Sequence, residues 1–209
     1  MLFRDREDAG HQLAARLYAY RGAADASVLG IPRGGIVVGA TLAHDLDLPL
    51  GVCPVHKLSA PSNPELAIGA VDETGATIID WPLVRRLNVS DRALAAEVAR
   101  RQHELQRWVR DVGGEHDRPA PAITILVDDG IATGATARAA VQAMRRQGGE
   151  RLVLAVPVAP VETAALLAPL VEEWVCLKTP DPFFAVGNFF DSWPEVTDQE
   201  VQALLVTSR

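Results

Sequence analysis

The sequence predicts one α/β domain in which helices cover both faces of a parallel sheet. Short apolar segments typical of buried strands alternate with segments whose apolar residues recur at helical spacing. Such alternation makes consecutive strands parallel, because a crossover helix connects each strand to the next. Two of the strands run into turns rich in small residues, at 32–35 and 130–136. The 209 residues suffice for one well-packed domain with a small appendage.

The first half of the chain begins with an amphipathic helix, because Ala9, Leu13 and Leu17 lie on one stripe. Prolines make the stretch after the second strand look like a loop. The segment Asp72-Glu-Thr-Gly75 predicts a hairpin turn. In chain order we predict a helix at 5–20, a strand at 26–30, a helix at 36–47, a strand at 50–56, a loop at 59–64, and strands at 67–71 and 76–80.

The second half contains a long, strongly charged helix at 90–112, for which Ser90 is a plausible cap and Gly113 with Gly114 a stop. Its sparse apolar residues leave only one narrow face for packing. Thr197-Asp-Gln-Glu200 has the pattern of a capping box that opens a last short helix. The remaining predictions are a strand at 122–127, a helix at 135–147, a strand at 151–157, a helix at 161–172 and a strand at 173–177.

Composition and charge exclude several classes of protein. The net charge of −7, from 20 basic and 27 acidic residues, argues against nucleic acid as a partner, because that footprint needs clustered Lys and Arg. The two cysteines, Cys53 and Cys176, form no metal or disulfide framework and suit a reducing compartment. No apolar run approaches the roughly 20 residues that span a bilayer. We therefore expect a cytoplasmic protein with neither a membrane nor a nucleic-acid partner.

The segment 125–136 carries the strongest functional signal. An apolar strand ends in Asp128 and Asp129, a turn of small and hydroxyl-bearing residues follows, and an alanine-rich helix begins. Amides at a helix N-terminus beyond the carboxyl end of a strand favour a phosphate. Adjacent carboxylates suit ribose hydroxyls or Mg²⁺ held through water. A sugar phosphate fits both features, although an Asp in such a turn also serves as an ordinary helix cap.

A second turn, at 30–35, also lies between a strand and a helix. Arg33 presents a planar fork of donors suited to phosphate oxygens, and Gly34 with Gly35 permits close approach of the backbone. Alone, this Pro-Arg-Gly-Gly segment is a generic tight turn. Its position in the alternating pattern, about 95 residues before the paired acids, brings it to the same edge of the predicted sheet.

The segment 125–136 resembles the phosphoribosyl-diphosphate signature of type I phosphoribosyltransferases, in which four apolar residues and two acids precede Ala-Thr-Gly-x-Thr. It departs from that pattern at Gly130, where the family usually has an aliphatic residue. The resemblance covers about 26–158. It implies the type I fold, with a core at about 22–178, a helical insertion at 90–112, and a small hood formed by 1–21 and 179–209. The implied reaction transfers phosphoribose to a nitrogenous base and releases pyrophosphate.

The resemblance also implies roles for individual residues. Asp128 and Asp129 would hold the ribose hydroxyls, and Mg²⁺ through water. Arg33, Gly34 and Gly35 would bind pyrophosphate, because the family's early loop has an Arg-Gly or Ser-Gly step and often a non-proline cis peptide. The residues expected to bind the 5′-phosphate are Ile131, Ala132, Thr133, Gly134, Ala135 and Thr136.

Three further assignments keep alternatives open. Lys57, predicted to end the 50–56 strand, matches a pyrophosphate-side lysine of adenine phosphoribosyltransferases but is equally a surface lysine. The stretch 59–71 reads as part of a catalytic loop, in which Glu65 would face the base or the pyrophosphate. Phe184, Val186 and Asp191 resemble the base-binding hood of hypoxanthine-guanine enzymes, whereas a hydrophobic mini-core explains these aromatics as well.

The base and the catalytic competence are left open by the sequence. Oxopurine enzymes have an acid where this chain has Ala132, so a close copy of their site is disfavoured. A non-catalytic module that senses phosphoribosyl diphosphate is the main alternative. A phosphoacceptor receiver domain is disfavoured, because its acid pair follows the first strand. A homodimer remains open.

Overall fold

The computed structural model describes residues 2–112, 121–148 and 150–207, and all their side chains except those of 64 and 65. Its strands and helices follow in chain order. The strands are β1 (Ala26–Gly30), β2 (Leu50–Val52), β3 (Val55–Ala60), β4 (Asn63–Asp72), β5 (Thr77–Ile79), β6 (Ile123–Val127), β7 (Arg151–Val158) and β8 (Glu173–Lys178). The helices are α1 (Arg6–Arg16), α2 (Gly34–Leu46), α3 (Trp81–Arg86), α4 (Asp91–Val112), α5 (Ala135–Arg146), α6 (Val161–Leu167) and α7 (Asp198–Thr207).

The central sheet is parallel and has the strand order β2-β1-β6-β7-β8. The predicted α/β fold is therefore confirmed. Gly30 of β1 pairs with Val127 of β6, which in turn pairs with Ala155 of β7. Because the strands are parallel and in register, the turn after β1 and the turn after β6 leave the sheet at the same edge, as the sequence predicts.

Helices cover both faces of this sheet. Alternate side chains of β6 point to opposite faces, so Ile125 packs with α1 and α2 whereas Leu126 packs with α5. Leu13 of α1 and Met144 of α5 are buried on these two faces. Within the described ranges, no helix is both long and apolar enough to cross a bilayer.

A second sheet, antiparallel and ordered β3-β4-β5, corrects two predictions. The predicted strand at 50–56 is divided at Cys53 and Pro54, because Pro54 has no N–H to continue the ladder. Lys57 accordingly lies inside β3 and does not end a central strand. The predicted loop at 59–64 is wrong, because β3 and β4 form a hairpin whose connection leaves out only residues 61 and 62.

Tertiary packing explains this hairpin. Leu58 and Ile68 are fully buried beneath Val84 of α3 and Leu94 of α4, so the strands gain stability from a layer that the local sequence does not reveal. The β4–β5 hairpin is confirmed. Helix α3 is absent from the sequence predictions; Asp80 caps it by accepting a hydrogen bond from the Leu83 amide at 3.0 Å.

The termini of the described chain associate. Phe3 forms a parallel bridge with Phe190, and their rings lie 5.2 Å apart. The predicted helix at 5–20 ends at Arg16 and continues as a 3-10 turn, Tyr18–Tyr20. The helix at 161–172 likewise ends at Leu167 before a 3-10 turn, Ala168–Leu170. Helix α4 matches the predicted 90–112 helix closely, whereas its expected glycine stop lies outside the described residues.

Candidate functional site

The two turns predicted to bind phosphates touch each other at the carboxyl edge of the sheet. A Cβ atom at Gly35 would lie 2.5 Å from the Val127 carbonyl oxygen, and one at Gly34 would lie 1.7 Å from Oδ2 of Asp129. Glycine is therefore required at position 35, where the obstacle is backbone, and a side chain at position 34 would displace the Asp129 carboxylate. The peptide bond between Pro32 and Arg33 is cis, a feature that the resemblance led us to expect.

The turn after β6 has the form of a phosphate cradle. Gly134, with φ of 77°, precedes α5, and Gly130 also has a positive φ. The loop is held by two distant contacts: the Ile131 amide donates to Val158, and the Thr163 hydroxyl donates to the Ala132 carbonyl at 2.8 Å. Among the described residues, no acceptor engages the amides of 132–136. These amides remain available to an anion at the helix N-terminus.

The paired carboxylates are only slightly exposed. Burial raises the pKa of Asp128 well above its ordinary value, and the neighbouring Asp129 carboxylate raises it further. Burial also raises the pKa of Asp129, although Arg6 counteracts this effect. The Asp129 amide donates to Oδ1 of Asp128 at 2.9 Å. A pair of desolvated carboxylates favours ligands that bring hydroxyl donors or positive charge.

The chemistry of this donor set suits Mg²⁺, and the magnesium site stays a prediction. Among the residues described, no cluster of three or more His, Cys, Asp or Glu side chains could hold a metal by itself. Protein sites for Mg²⁺ commonly contribute only one or two carboxylates, and waters and substrate phosphates complete the octahedron. Asp128 and Asp129 supply such a pair of oxygen donors.

A cleft of about 970 Å³ opens beside the two turns. Of the predicted site residues, Arg33, Gly34, Lys57 and Thr136 line it, and Asp129 contacts it through Arg6, which is also a lining residue. Helix α4 forms the facing wall with side chains that include Leu105 and Trp108. The cleft is therefore bordered by the sheet edge, the β3 strand, α4 and the tail segment 193–198.

Arg33 lies in the cleft but is already paired. Its Nε donates to Oδ1 of Asp198 on α7 at 2.8 Å, and Nη1 lies 4.0 Å from Glu195. Trp108 of α4 also donates to Oδ1 of Asp198, at 2.7 Å. An incoming anion would have to compete with Asp198 for this guanidinium.

His56 and Lys57 extend from β3 toward the same cleft. Burial lowers the pKa of the His56 imidazole, and the nearby Arg101 guanidinium lowers it further. Nη1 of Arg101 lies 3.4 Å from Nε2 of His56. The Arg101 guanidinium is itself paired with Glu97 and Glu104, so this wall of the cleft carries charges of both signs.

The structure does not bring the predicted base-binding residues into the cleft. Phe184 is 80% exposed, and Asp191 is also exposed and is tied through its amide to the Phe3 carbonyl. Val186 packs against Gly130, where an added Cβ would lie 2.3 Å from its Cγ1. Their role in binding a base stays a prediction, and the hydrophobic mini-core describes Val186 and its aromatic neighbours. The Glu65 prediction lies outside the described side chains.

Sequence reasoning missed the residues that reach the site from far along the chain. Arg6 donates from Nε to Oδ2 of Asp129 at 2.8 Å, although the sequence of its helix predicts only an apolar stripe. Trp193, Asp198 and Thr163 were missed for the same reason. No local pattern distinguishes these side chains from ordinary surface residues.

An open parallel sheet whose carboxyl edge carries a turn of free amides beside paired acids is typical of the class of α/β proteins that bind phosphorylated ligands. Within this class, residues 3–185 match the model of the phosphoribosyl transferase domain family. The chain belongs to the phosphoribosyl transferase family.

Individual relatives agree with this membership. Two curated relatives from two strains of Mycobacterium tuberculosis, both named "Putative phosphoribosyl transferase", are 44% identical over 206 residues. The match covers 98% of this chain and 46% of each relative, so the chain spans about half their length.

Solved structures show the same fold. The crystal structure of TT1426 from Thermus thermophilus is 39% identical, has a TM-score of 0.79, and is matched over 100% of this chain and 99% of that one. A hypothetical protein from Neisseria gonorrhoeae with bound ppGpp has a TM-score of 0.51 at 13% identity, over 100% of this chain and 99% of that one. At 13% identity the likeness concerns the fold alone.

Proposed function

We propose that the protein transfers phosphoribose from phosphoribosyl diphosphate to a nitrogenous base and releases pyrophosphate. The observation that carries this proposal is the contact between two anion-binding turns at one sheet edge, with two desolvated carboxylates between them. One turn suits the 5′-phosphate and the other the pyrophosphate, while the carboxylates suit the ribose. Few other ligands need two phosphate sites on either side of a diol.

The roles of the residues follow from their chemistry. Free amides of 132–136 and the hydroxyls of Thr133 and Thr136 bind the 5′-phosphate. Asp128 and Asp129 accept hydrogen bonds from the ribose 2′- and 3′-hydroxyls and fix the sugar between the turns. Arg33, the amides of Gly34 and Gly35, and Lys57 receive the departing pyrophosphate.

Charge stabilisation supplies the rest of the mechanism. As the bond to pyrophosphate breaks, positive charge develops on the ribose, and the nearby carboxylates stabilise it in a site where water does not screen them. Mg²⁺, held through water by Asp128 and Asp129, would neutralise charge on the phosphates when bound. The cleft between β3 and α4 has room for the acceptor base. We place the reaction in the cytoplasm, where the unpaired Cys53 and Cys176 thiols stay reduced.

Calorimetric titration with phosphoribosyl diphosphate and Mg²⁺ tests the binding half of the proposal. The wild type should bind, and the Asp128→Asn/Asp129→Asn variant should lose binding while keeping its circular dichroism spectrum. Asp25→Asn is the matched control, because this exposed residue lies at the amino end of β1, across the sheet from the site. A folded wild type that does not bind would refute the proposal.

A second candidate function is a sensor that binds phosphoribosyl diphosphate without turnover. Ala132 favours it, because the turn then lacks the acid that oxopurine enzymes have at this position. Pyrophosphate release with a panel of purine and pyrimidine bases distinguishes the two functions. Release with one base establishes the enzyme, whereas binding without release across the panel establishes the sensor.

A further inference from the structure

Arg6 makes a direct side-chain contact with one of the paired carboxylates. Its side chain is almost fully buried, with 9% exposed, although it lies at the start of α1. Nε donates to Oδ2 of Asp129 at 2.8 Å, and Nη1 donates to the Pro194 carbonyl at 2.8 Å. The guanidinium carbon also lies 3.6 Å from the centre of the Trp193 ring, which adds a cation–π contact.

Both termini contribute to holding this guanidinium. The amides of Leu2 and Phe3 donate to Phe189, and the amides of Asp191 and Ser192 donate back to residues 3 and 4. The ring of Phe190 lies 4.6 Å from that of Trp193. The N-terminal segment and the tail therefore form one ladder, and Arg6 projects from this ladder onto Asp129.

Nη2 of Arg6 has no hydrogen-bond partner among the described residues. Among the described residues, the buried side-chain N and O atoms without a hydrogen-bond partner belong to Ser59, Thr124 and Arg138. Nη2 of Arg6 is not one of them, so it is not fully buried. Arg6 itself lines the cleft. Arg6 therefore connects the lining of the cleft to Asp129.

We propose that Arg6 is a positioning residue of the phosphoribosyl-diphosphate site, which fixes Asp129 through Oδ2 so that Oδ1 faces a ribose hydroxyl. The inference rests on the proposed function. With Oδ2 engaged, the carboxylate is held in a single orientation before the ligand arrives. Preorganisation of this kind lowers the ordering cost of binding.

The test compares the affinity for phosphoribosyl diphosphate with Mg²⁺ in the wild type and in Arg6→Gln and Arg6→Lys. Arg6→Gln should weaken binding by roughly tenfold or more, because it removes a charge-assisted hydrogen bond. Arg6→Lys keeps the positive charge and should recover part of the lost affinity. Turnover at saturating substrate should fall less than kcat/KM, since the effect lies mainly on ribose binding.

Arg146→Gln is the matched control for a purely structural role. It removes the ion pair between Arg146, near the C-terminal end of α5, and the buried Asp72 carboxylate of β4. Neither of these residues lines the cleft. The control should lower Tm and leave the affinity unchanged, whereas Arg6→Gln should change the affinity beyond any effect on Tm.

The outcomes separate the inference from the function on which it rests. A wild type that binds together with an Arg6→Gln variant of equal affinity would overturn the role of Arg6 alone. An Arg6→Lys variant as weak as Arg6→Gln would show that charge alone does not position Asp129, and would restrict the role to the guanidinium fork. A wild type without binding would overturn the proposed function and this inference together.

Discussion

The two turns at the sheet edge offer different kinds of group to an anion. The turn after β6 offers main-chain amides that no described group engages, and its glycines give those amides their direction. The turn after β1 offers the Arg33 side chain, which is engaged by Asp198 from the far end of the chain. On the proposed function, the main-chain amides are thus ready for a ligand, whereas the Arg33 side chain must first exchange its partner.

This difference predicts unequal sensitivity to mutation. A binding group made of backbone fails when the backbone moves, so the largest effects should come from small additions at the contact between the turns. A binding group made of an exposed ion pair is adjustable, because such pairs contribute only about 0–1 kcal/mol. Substitutions at Gly35 and Asp198 test this difference, and a substitution at Asp128 tests the electrostatic cost of the acidic turn.

Gly35→Ala should cause the largest loss. The new Cβ would meet the Val127 carbonyl oxygen at 2.5 Å and the Asp128 Cα at 2.9 Å, and neither backbone atom can yield without displacing the acidic turn. We expect a loss of roughly 1–3 kcal/mol in the free energy of unfolding and the loss of ligand binding. Thermal denaturation and calorimetry measure the two effects.

Gly39→Ala is the control for that experiment, because Gly39 lies one turn further along α2. Its added Cβ would have its nearest neighbour, Cδ1 of Leu50, at 3.4 Å, which is ordinary contact. Alanine is the better helix former by roughly 0.5–1 kcal/mol, so this variant should be at least as stable as the wild type. Equal losses in both variants would show that the contact between the turns is not special.

Asp128→Asn should stabilise the protein at neutral pH. A carboxyl whose pKa is raised on folding binds its proton more tightly in the folded state, so stability falls as pH rises above the ordinary pKa of Asp. Replacing it with a neutral amide removes this cost. We expect Tm at pH 7 to rise by roughly 2–4 °C, equivalent to about 1 kcal/mol, with the difference shrinking toward pH 4.

A series of denaturation curves between pH 4 and pH 8 shows whether Asp128→Asn raises or lowers Tm. Asp25→Asn should follow the wild type throughout, because Asp25 is exposed at the opposite end of β1. If Asp128→Asn is less stable than the wild type at every pH, the Asp128 carboxylate contributes to folding, and no electrostatic cost resides in this turn.

The features that the sequence predicts well depend on local residue patterns. The parallel strands and the turn at 128–136 follow from apolar runs and from the residue types that a helix N-terminus needs. The hairpin of β3 and β4 does not, because Leu58 and Ile68 become strand residues only under the cover of α3 and α4. Tertiary burial overrides the loop pattern of the prolines there.

The same distinction applies to the site. The sequence could place Asp128, Asp129 and Gly34 at one edge of the sheet, because the parallel strands that precede them end at that edge. Arg6 lies 123 residues from Asp129 in the chain, and nothing in its local sequence marks it as a partner. The prediction for Phe184 rests on a resemblance within the tail alone, and the tail directs this side chain to solvent.

Asp198→Asn should have the smallest effect, and it should raise the affinity for the ligand, whereas Gly35→Ala should abolish binding. Asparagine keeps an oxygen at this position but removes its negative charge, so Arg33 exchanges this partner for an anion more readily, and affinity for phosphoribosyl diphosphate should rise by roughly two- to fivefold, as expected for an exposed pair. Glu200→Gln is the control, because Glu200 lies in the same first turn of α7 but accepts from Thr197 and does not touch Arg33.

The salt dependence of the affinity distinguishes this electrostatic mechanism from a loosening of α7. The gain in Asp198→Asn should shrink between about 0.05 M and 0.5 M salt, because exposed charges are screened over a Debye length of about 10 Å at 0.1 M. A gain that persists at high salt would instead point to the hydrogen bond that Trp108 donates to Asp198, whose weakening would let α7 move away from α4. Reduced affinity would mean that Asp198 orients Arg33 for its ligand, and the two turns would then both be preorganised.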